Sequence, residues 1–239
     1  MSERAARRLL REGELDVLGR MPWSSNATFL VSCSSPGGDE GELLAVYKPQ
    51  RGERPLWDFP RGTLCRREVA AFEVSEALGW GIVPDTVLRD GPAGPGMVQR
   101  FVPHDPEEHY FTLQERFADD FRRMAVFDVV INNTDRKGGH CLLAADGRVY
   151  GIDHGVSFHA QWKLRTVIWD FAGEPLPSGV CRDLAAFVRA LDGELGDRLR
   201  VLLDRFELDA LRARAVGLLR EGTLPAADPG YHSFPWPLV

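Results

Sequence analysis

The order of apolar patterns in the first 102 residues constrains the fold of this chain most strongly. Five stretches have the alternation or composition of β-strands, and polar or glycine-rich turns bound them. The predicted strands are 14–20, 27–34, 42–48, 86–89 and 97–102. Residues 63–78 have a helical pattern instead, with Thr63 as the N-cap and Gly79 where a helix end favours glycine. The sequence therefore predicts a β-β-β-α-β-β unit.

The rest of the chain has the pattern of helices. Over residues 112–130, Phe121, Met124 and Ala125 form an apolar stripe at positions i, i+3 and i+4, and later segments repeat this spacing. With 239 residues and 44% apolar side chains, the chain can form one domain or two closely joined lobes. We predict an α+β fold with a β-rich unit over residues 1–102 and a mainly α-helical unit over residues 103–239.

The composition argues against several classes of partner and of site. A net charge of −6 and a pI near 5.6 disfavour non-specific attraction to nucleic acid or to an anionic membrane. The four cysteines include no C-x-x-C pair of the kind found in zinc knuckles and redox couples. Because a signal peptide and a long apolar run are both missing, we expect a cytoplasmic protein with no transmembrane segment and no nucleic acid partner.

A predicted hairpin brings two polar side chains together. Asp146-Gly147 lies between two apolar stretches, which is typical of a two-residue turn. With that turn, residue 145 pairs with 148, and His140 faces Asp153 with Cβ atoms roughly 5 Å apart. The alternative is an ordinary surface hairpin that happens to end in polar residues.

The polar loop before this hairpin strengthens the functional interpretation. Asn132 to Arg136 directly follow an apolar helix, so Asp135 is expected beside the hairpin end that carries Asp153. Phosphoryl transfer needs one carboxylate to orient the attacking hydroxyl and another to hold the metal at the phosphates. Without its neighbours, Asn-Thr-Asp-Arg is more often a simple turn.

A lysine and a glutamate in the first unit form a second candidate pair. Lys48 ends an alternating strand, where a lysine can reach nucleotide phosphates. Glu68 lies on the apolar face of the helix over 63–78, and a carboxylate there needs a partner. We expect the two to form an ion pair; the alternative places Glu68 at the edge of a half-exposed face.

The turn before the second strand is a candidate cover for the phosphates. It contains the small polar residues Ser24, Ser25 and Asn26, whose N–H groups or hydroxyls can face phosphate oxygens. The turn lacks the glycines of a G-x-G-x-x-G loop. The alternative of an ordinary turn with no role in phosphate binding therefore stays open.

Together these motifs support a resemblance to a known group of kinases. Residues 133–136, Asn-Thr-Asp-Arg, followed by 153–155, Asp-His-Gly, resemble the catalytic and metal-binding motifs of the phosphatidylinositol 3/4-kinase-like superfamily. That superfamily includes type II phosphatidylinositol 4-kinases and HipA-type protein kinases. More narrowly, the whole chain resembles an actinobacterial family of uncharacterised phosphatidylinositol kinase-like proteins. The resemblance implies a two-lobed protein-kinase-like fold that binds ATP with Mg or Mn.

The resemblance also implies roles for individual residues. Asp135 corresponds to the catalytic base, with Arg136 beside it in the catalytic motif. Asp153 corresponds to the metal ligand, and Lys48 to the phosphate clamp that Glu68 holds. The hinge whose backbone contacts adenine corresponds to Gln99, Arg100, Phe101 and Val102.

Three histidine and aspartate residues near these motifs carry further predictions. Asp128 falls on the buried helix stripe, so we expect it to brace the catalytic loop through hydrogen bonds. His140 stands where such kinases have an asparagine, and imidazole suits Mn²⁺ better than Mg²⁺. A ligand role and a structural role both stay open for His140. His154 is expected to point away from Asp153, since successive strand residues alternate.

The acceptor of the phosphate is left open by the sequence. Lys163 and Arg165, beside Trp162, are placed to receive an anionic headgroup, but two basic residues agree equally well with a small-molecule or protein acceptor. Three functions stay possible: an active phosphotransferase, a nucleotide-binding pseudokinase that acts as a regulatory module, and a scaffold without a nucleotide site.

Overall fold

A computed structural model describes residues 2–22, 26–35, 41–228 and 230–239. The predicted phosphate-covering residues Ser24 and Ser25 lie outside these ranges. The strands are β1 (Glu14–Arg20), β2 (Phe29–Ser34), β3 (Glu42–Pro49), β4 (Thr86–Gly91), β5 (Gly94–Arg100), β6 (Cys141–Leu143) and β7 (Val149–Gly151). The helices are α1 (Glu3–Glu12), α2 (Leu64–Leu78), α3 (Tyr110–Leu113), α4 (Ala118–Ile131), α5 (Ser178–Ala190), α6 (Glu194–Leu202) and α7 (Arg205–Glu221). The expected α+β class is confirmed.

The first five strands form one antiparallel sheet in the order β1-β2-β3-β5-β4. All five predicted strands are present, with ends that differ by up to three residues. The turn between β4 and β5 is shorter than its glycines and prolines suggested, because Gly91 pairs with Gly94. Gly94 has a φ of +92°, a backbone conformation that glycine tolerates. A Cβ on Gly91 would lie 2.8 Å from the Tyr47 ring, so a glycine also permits close packing there.

Helix α2 begins and ends where the sequence predicted, but its N-terminus is capped differently. Gly79 follows its last residue with a φ of +70°, as expected for a helix C-terminus. Thr63 precedes the helix, yet its hydroxyl donates to the Pro60 carbonyl instead of accepting from the helix. The Glu53 carboxylate accepts from the N–H groups of Leu64 and Cys65, at 3.2 and 2.8 Å. A distant side chain therefore supplies the cap.

The single helix predicted over residues 112–130 is divided in two. The short helix α3 ends at Leu113, and α4 begins at Ala118 after an irregular turn. Helix α4 ends at Ile131, and Asn132 caps it with a left-handed φ of +53°. Asparagine tolerates this conformation better than most residues, so the chain leaves the helix at the start of the predicted catalytic loop.

The hairpin register predicted from Asp146-Gly147 is wrong by one residue. Cys141 pairs with Gly151, and the Ile152 N–H donates to the His140 carbonyl. The Gly147 N–H donates to the Ala144 carbonyl, and Gly147 has a φ of +82°. This is a three-residue loop in which the glycine takes the left-handed position, and the sequence pattern does not distinguish it from a two-residue turn.

The main hydrophobic core joins the two parts of the chain. Apolar residues of α2 and Ile82 pack with α4, α5 and α7 in one cluster, whereas β1 to β5 and α1 enclose a smaller one. The division at residue 102 remains a prediction, and the core of the helical part extends across it. In the described ranges, no helix is long and apolar enough to cross a membrane.

Candidate active site

A cleft between the sheet and the helical part brings together five of the predicted site residues: Asn26, Lys48, Glu68, Asp135 and Asp153. Helix α2 and the strand β3 form one side, and the loops after α4 and β7 form the other. Asp135 and Asp153 share this cleft with Lys48 and Glu68. The lining residues are Asn26, Lys48, Pro49, Glu53, Leu64, Cys65, Glu68, Asp135, Asp153, Gly155 and Val156.

Lys48 bridges two carboxylates in this cleft. Its Nζ lies 2.7 Å from Glu68 Oε1 and 2.7 Å from Asp153 Oδ1, so the predicted ion pair with Glu68 is confirmed. Glu68 is buried, and its second oxygen accepts from the His154 N–H at 2.8 Å. Burial lowers the pKa of Lys48, but Asp153 and Glu68 outweigh it and raise that pKa above its ordinary value. The lysine is therefore a fixed cation.

Asp153 has an unusual backbone and a partly exposed carboxylate. Its φ of +62° is left-handed, which for a non-glycine residue costs of order 1–3 kcal/mol and occurs most often at functional sites. The Lys48 ammonium holds the pKa of the Asp153 carboxyl well below its usual range. Because this residue lies beyond the end of β7, its turned backbone brings the side chain to His140 despite the changed register.

The tautomer of His140 follows from its contacts. Nδ1 lies 2.9 Å from the Asp135 carbonyl, which only accepts, so Nδ1 carries the proton. The Lys137 N–H is 3.5 Å from the same nitrogen, at the limit for a hydrogen bond. The shorter contact with the Asp135 carbonyl therefore determines the tautomer. Burial lowers the pKa of the imidazole to about 4, which keeps it neutral. Nε2 therefore presents a lone pair 3.5 Å from Asp153 Oδ2.

Two electron-rich atoms facing each other at this distance suit a cation between them. Carboxylate oxygen and neutral imidazole nitrogen are both metal ligands, and the pair fits Mn²⁺ better than Mg²⁺. Among the described residues, no group of three or more histidine, cysteine, aspartate or glutamate side chains is arranged around a metal position. A metal held here would take further ligands from water or phosphate, as is usual where one or two carboxylates bind Mg²⁺ with a substrate phosphate.

Asp135 is held at the mouth of the cleft by its own loop. Its N–H donates to Asn133 Oδ1 at 3.0 Å, and the Asn133 amide donates to Asp128 Oδ1. Thr134 donates through its hydroxyl to the Val156 carbonyl at 2.6 Å. Burial raises the pKa of the Asp135 carboxyl, and Lys137, whose Nζ is 3.2 Å away, opposes the rise. A carboxylate with a raised pKa is better suited to accept a proton.

Arg136 lies behind the loop rather than in the cleft. Its guanidinium is completely buried and donates to both oxygens of Asp128, at 2.9 to 3.2 Å. It also donates to the His140 and Ile152 carbonyls. These contacts are those of a residue that positions the loop, and the catalytic role implied by the resemblance stays a prediction. The expected bracing of the loop by Asp128 is confirmed.

His154 belongs to the same buried network. Its Nε2 lies 2.6 Å from Arg136 Nη2, and its ring packs edge-on against Phe127. Burial lowers the pKa of this imidazole well below its ordinary value, so it accepts from the guanidinium as a neutral ring. The side chain points away from Asp153, as predicted.

None of the predicted hinge residues, 99–102, is among the residues that line the cleft. Gln99 is buried and donates to Thr86 Oγ1 at 2.8 Å. The N–H groups of Arg100 and Phe101 already donate to the Asp85 and Leu44 carbonyls. Asn26 does line the cleft, but its Oδ1 accepts from the Arg54 N–H at 2.8 Å.

The two basic residues suggested for an anionic acceptor already have partners. Lys163 Nζ lies 2.7 Å from Asp58 Oδ2, and it also contacts the Trp57 ring at 4.8 Å. Arg165 donates to the His232 carbonyl and to the Tyr231 hydroxyl. Both side chains therefore already bond to residues that are distant in sequence, and the suggested headgroup site is not supported.

Three features of the site were missed from the sequence. Lys137 lies beside Asp135, and its position two residues further along a polar loop was the only signal for it. Glu53 was not singled out, although it lines the cleft and caps α2. The segment 233–239 packs against the chain that follows the predicted catalytic loop, where the Gly138 N–H donates to the Leu238 carbonyl at 2.7 Å.

Comparison with known proteins decides the family. The chain is 44% identical to Protein Rv2133c of Mycobacterium tuberculosis (strain ATCC 25618 / H37Rv), over 96% of this chain and 94% of that protein. The chain belongs to the Rv2133c family. Residues 87–197 also match the phosphatidylinositol 3- and 4-kinase family, which confirms the relation predicted from the motifs.

This chain shares its fold with solved kinases. A crystal structure of the Golgi casein kinase with Mn/ADP bound has a TM-score of 0.57 at 14% identity, over 100% of this chain and 81% of that one. The Helicobacter pylori proinflammatory kinase CtkA has a TM-score of 0.52 at 10% identity, over 90% and 94% of the two chains. The fold of this Rv2133c relative is kinase-like, as predicted.

Proposed function

We propose that this protein is an ATP-dependent phosphotransferase whose reaction takes place in the cleft between the sheet and the helical part. The observation that carries the proposal is the double contact of Lys48 with Glu68 and Asp153, with Asp135 lining the same cleft. Active kinases require an ion pair between a strand lysine and a helix glutamate, together with an aspartate that holds the metal.

Nucleotide and metal are assigned to the residues that suit them chemically. Lys48 faces the phosphates, and Asp153 with His140 holds a divalent metal, Mg or Mn, which when bound neutralises phosphate charge. The related Golgi casein kinase structure holds Mn/ADP, which supports this choice of ligands. The phosphate cover is assigned to Ser24, Ser25 and Asn26.

The adenine end is assigned to the chain that leaves β5. Val102 packs in a small apolar cluster with Leu142, Tyr150 and Ile152, which offers an apolar surface to a base. Because the N–H groups of Arg100 and Phe101 are occupied in the sheet, Val102 is the hinge residue we favour among residues 99–102.

Asp135 is assigned to the acceptor hydroxyl. Its raised pKa and its place on a braced loop suit a carboxylate that orients the hydroxyl and takes its proton. Lys137 lies within 3.2 Å of that carboxylate and is positioned to balance its charge. The acceptor is a hydroxyl of a small molecule, a lipid headgroup or a protein.

A second function is favoured by His140 alone. If an imidazole in place of the usual asparagine prevents productive metal binding, the protein is a nucleotide-binding pseudokinase that regulates a partner. The two proposals differ in whether phosphate leaves ATP.

The experiment that tests phosphotransfer follows the γ-phosphate. Wild-type protein is incubated with γ-labelled ATP and Mn²⁺ or Mg²⁺, and both hydrolysis and transfer to the protein itself are measured. We expect turnover that falls about 10²–10⁴-fold in Asp135→Asn. Asp146→Asn, an aspartate at the exposed hairpin turn, is the matched control and keeps full activity. ATP binding without any turnover by the wild type contradicts phosphotransfer and favours the pseudokinase.

A further inference from the structure

A second concave site lies on the helical part of the protein. It is a groove of about 450 Å³ between α7 and the segment 223–226, and it shares no lining residue with the cleft. This volume is within the range of small-molecule sites, which run to roughly 300–1,000 Å³. Its walls are mainly apolar and include Val129, Trp162, Leu218 and Leu224.

Two charged side chains line this mainly apolar groove: Arg214, which is half-buried, and Glu221, which is exposed. The Nε of Arg214 donates to the Val130 carbonyl at 2.8 Å and its Nη1 to the His159 carbonyl at 3.3 Å. Its Nη2 is buried and has no hydrogen-bond partner within the described part of the chain. Burial lowers the pKa of this guanidinium to about 10. Carbonyl groups satisfy part of its hydrogen bonding, but among the described residues this guanidinium forms no ion pair.

The surrounding charges leave a positive excess near Arg214. Glu207 is the acid whose field acts on it, but Glu207 already forms a buried ion pair with Arg67 and accepts from the Asp204 N–H. Glu221, also at the groove, lies 2.8 Å from Arg220 and is mostly exposed. The buried carboxylate nearest in effect is thus committed to Arg67, and a half-buried cation that lacks an ion pair is costly.

We propose that this groove binds a small amphipathic organic acid, with its apolar body along the groove walls and its carboxylate at Arg214. The apolar walls suit the hydrocarbon part of such a ligand, and the positive charge of Arg214 suits its carboxylate. An alcohol with the same hydrocarbon chain lacks the charge that this site selects.

The site has a direct connection to the loop that follows the cleft. Arg214 holds the His159 carbonyl, and the Asn132 amide donates to that same carbonyl at 2.8 Å. Trp162, which lies in the same segment, forms part of the groove wall. A bound acid therefore contacts the segment 156–166 from outside, so it can influence the cleft without entering it.

The test uses dodecanoate and dodecanol below their micelle concentrations, without nucleotide or metal. Binding is followed by tryptophan fluorescence and by the melting temperature. We expect dodecanoate to bind saturably and to raise the melting temperature, and dodecanol to bind at least about tenfold more weakly, because a hydrogen-bonded charge is lost.

Two variants assign the binding to this groove. Gly217 lines it, and a Cβ there would meet no atom within 4 Å, so Gly217→Leu adds a bulky side chain at the groove from an open position and favours the helix. Arg214→Gln keeps a hydrogen-bonding side chain but removes the charge. Each is expected to weaken dodecanoate binding at least about tenfold. Val216→Leu, on the neighbouring exposed position of α7, is the control and binds as the wild type.

Three outcomes overturn the proposal. They are equal binding of acid and alcohol, which indicates an apolar surface for another partner; unchanged binding in Gly217→Leu; and no binding of dodecanoate at all. If Arg214→Gln does not fold, Gly217→Leu and the acid–alcohol comparison still decide. None of these results depends on phosphotransfer, so this site and the proposed activity fail or succeed separately.

Discussion

The buried ion pair behind the catalytic loop gives the sharpest prediction about stability. Asp128 and Arg136 are both completely buried, and Asp128 also accepts from the Asn133 amide and the Thr166 hydroxyl. Asp128→Asn keeps the shape of the side chain but removes its charge. The guanidinium of Arg136 is then left in the interior without a counter-ion.

The expected loss follows from that burial. Removing one partner of a buried pair costs about 3–5 kcal/mol, a large fraction of the roughly 5–15 kcal/mol that stabilises a typical protein. For a chain of this length the loss corresponds to a fall in melting temperature of roughly 6–20 °C. The matched control is Asp197→Asn, which breaks an exposed aspartate–arginine pair with Arg200 on α6. That pair is worth only about 0.3–0.5 kcal/mol.

Urea unfolding measures both variants against the wild type. Circular dichroism and tryptophan fluorescence are followed together, so that coinciding curves establish a single transition. We expect a large shift of the midpoint for Asp128→Asn and almost none for Asp197→Asn. A loss below about 1 kcal/mol for Asp128→Asn would refute the reasoning, because a buried guanidinium without a counter-ion should destabilise the fold by more than that.

Three further predictions concern the loop, the segment that covers it and the thiols. His140→Asn should shift the preference of turnover from Mn²⁺ toward Mg²⁺, measured by metal titration; an unchanged profile would count against a ligand role. Ending the chain at residue 236 removes the Leu238 carbonyl that holds Gly138, and should raise the metal concentration for half-maximal turnover while the melting temperature changes little. Native iodoacetamide labelling at pH 8, read by mass spectrometry, should modify Cys181 first; early labelling of the other thiols would contradict their burial. The other three thiols, Cys33, Cys65 and Cys141, are buried, and burial raises their pKa to about 11 or 12.

Local periodicity was sufficient for the parts of the fold and site that depend on one element. The helical face of α2 placed Glu68 inward, and the strand before it ended at Lys48, so their contact was predictable from two short patterns. The stripe of α4 placed Asp128 in the interior in the same way. A buried carboxylate requires a partner: Glu68 pairs with Lys48 as predicted, and Asp128 braces the loop as predicted, although its pairing with Arg136 was not.

Contacts between distant segments were not predictable from such patterns. The choice between a two- and a three-residue hairpin loop depends on the backbone of Gly147, and both fit the same residues. Lys163 was assigned to a ligand because nothing in its own segment showed that Asp58 would reach it. Arg136 follows Asp135 directly in the catalytic motif, and nothing in that motif showed that its guanidinium would be buried against Asp128 of the preceding helix.

Metal-dependent nucleotide binding tests the proposed cleft most directly. A non-hydrolysable ATP analogue is titrated by calorimetry into the wild type, Asp153→Asn and the control Asp146→Asn, with Mn²⁺ and with a chelator. Since Asp153 is the carboxylate proposed to hold the metal, binding should require Mn²⁺, should be retained in Asp146→Asn and should fall at least about tenfold in Asp153→Asn. Absent binding in the wild type, or binding that is the same with the chelator and in Asp153→Asn, would contradict a nucleotide–metal site in this cleft.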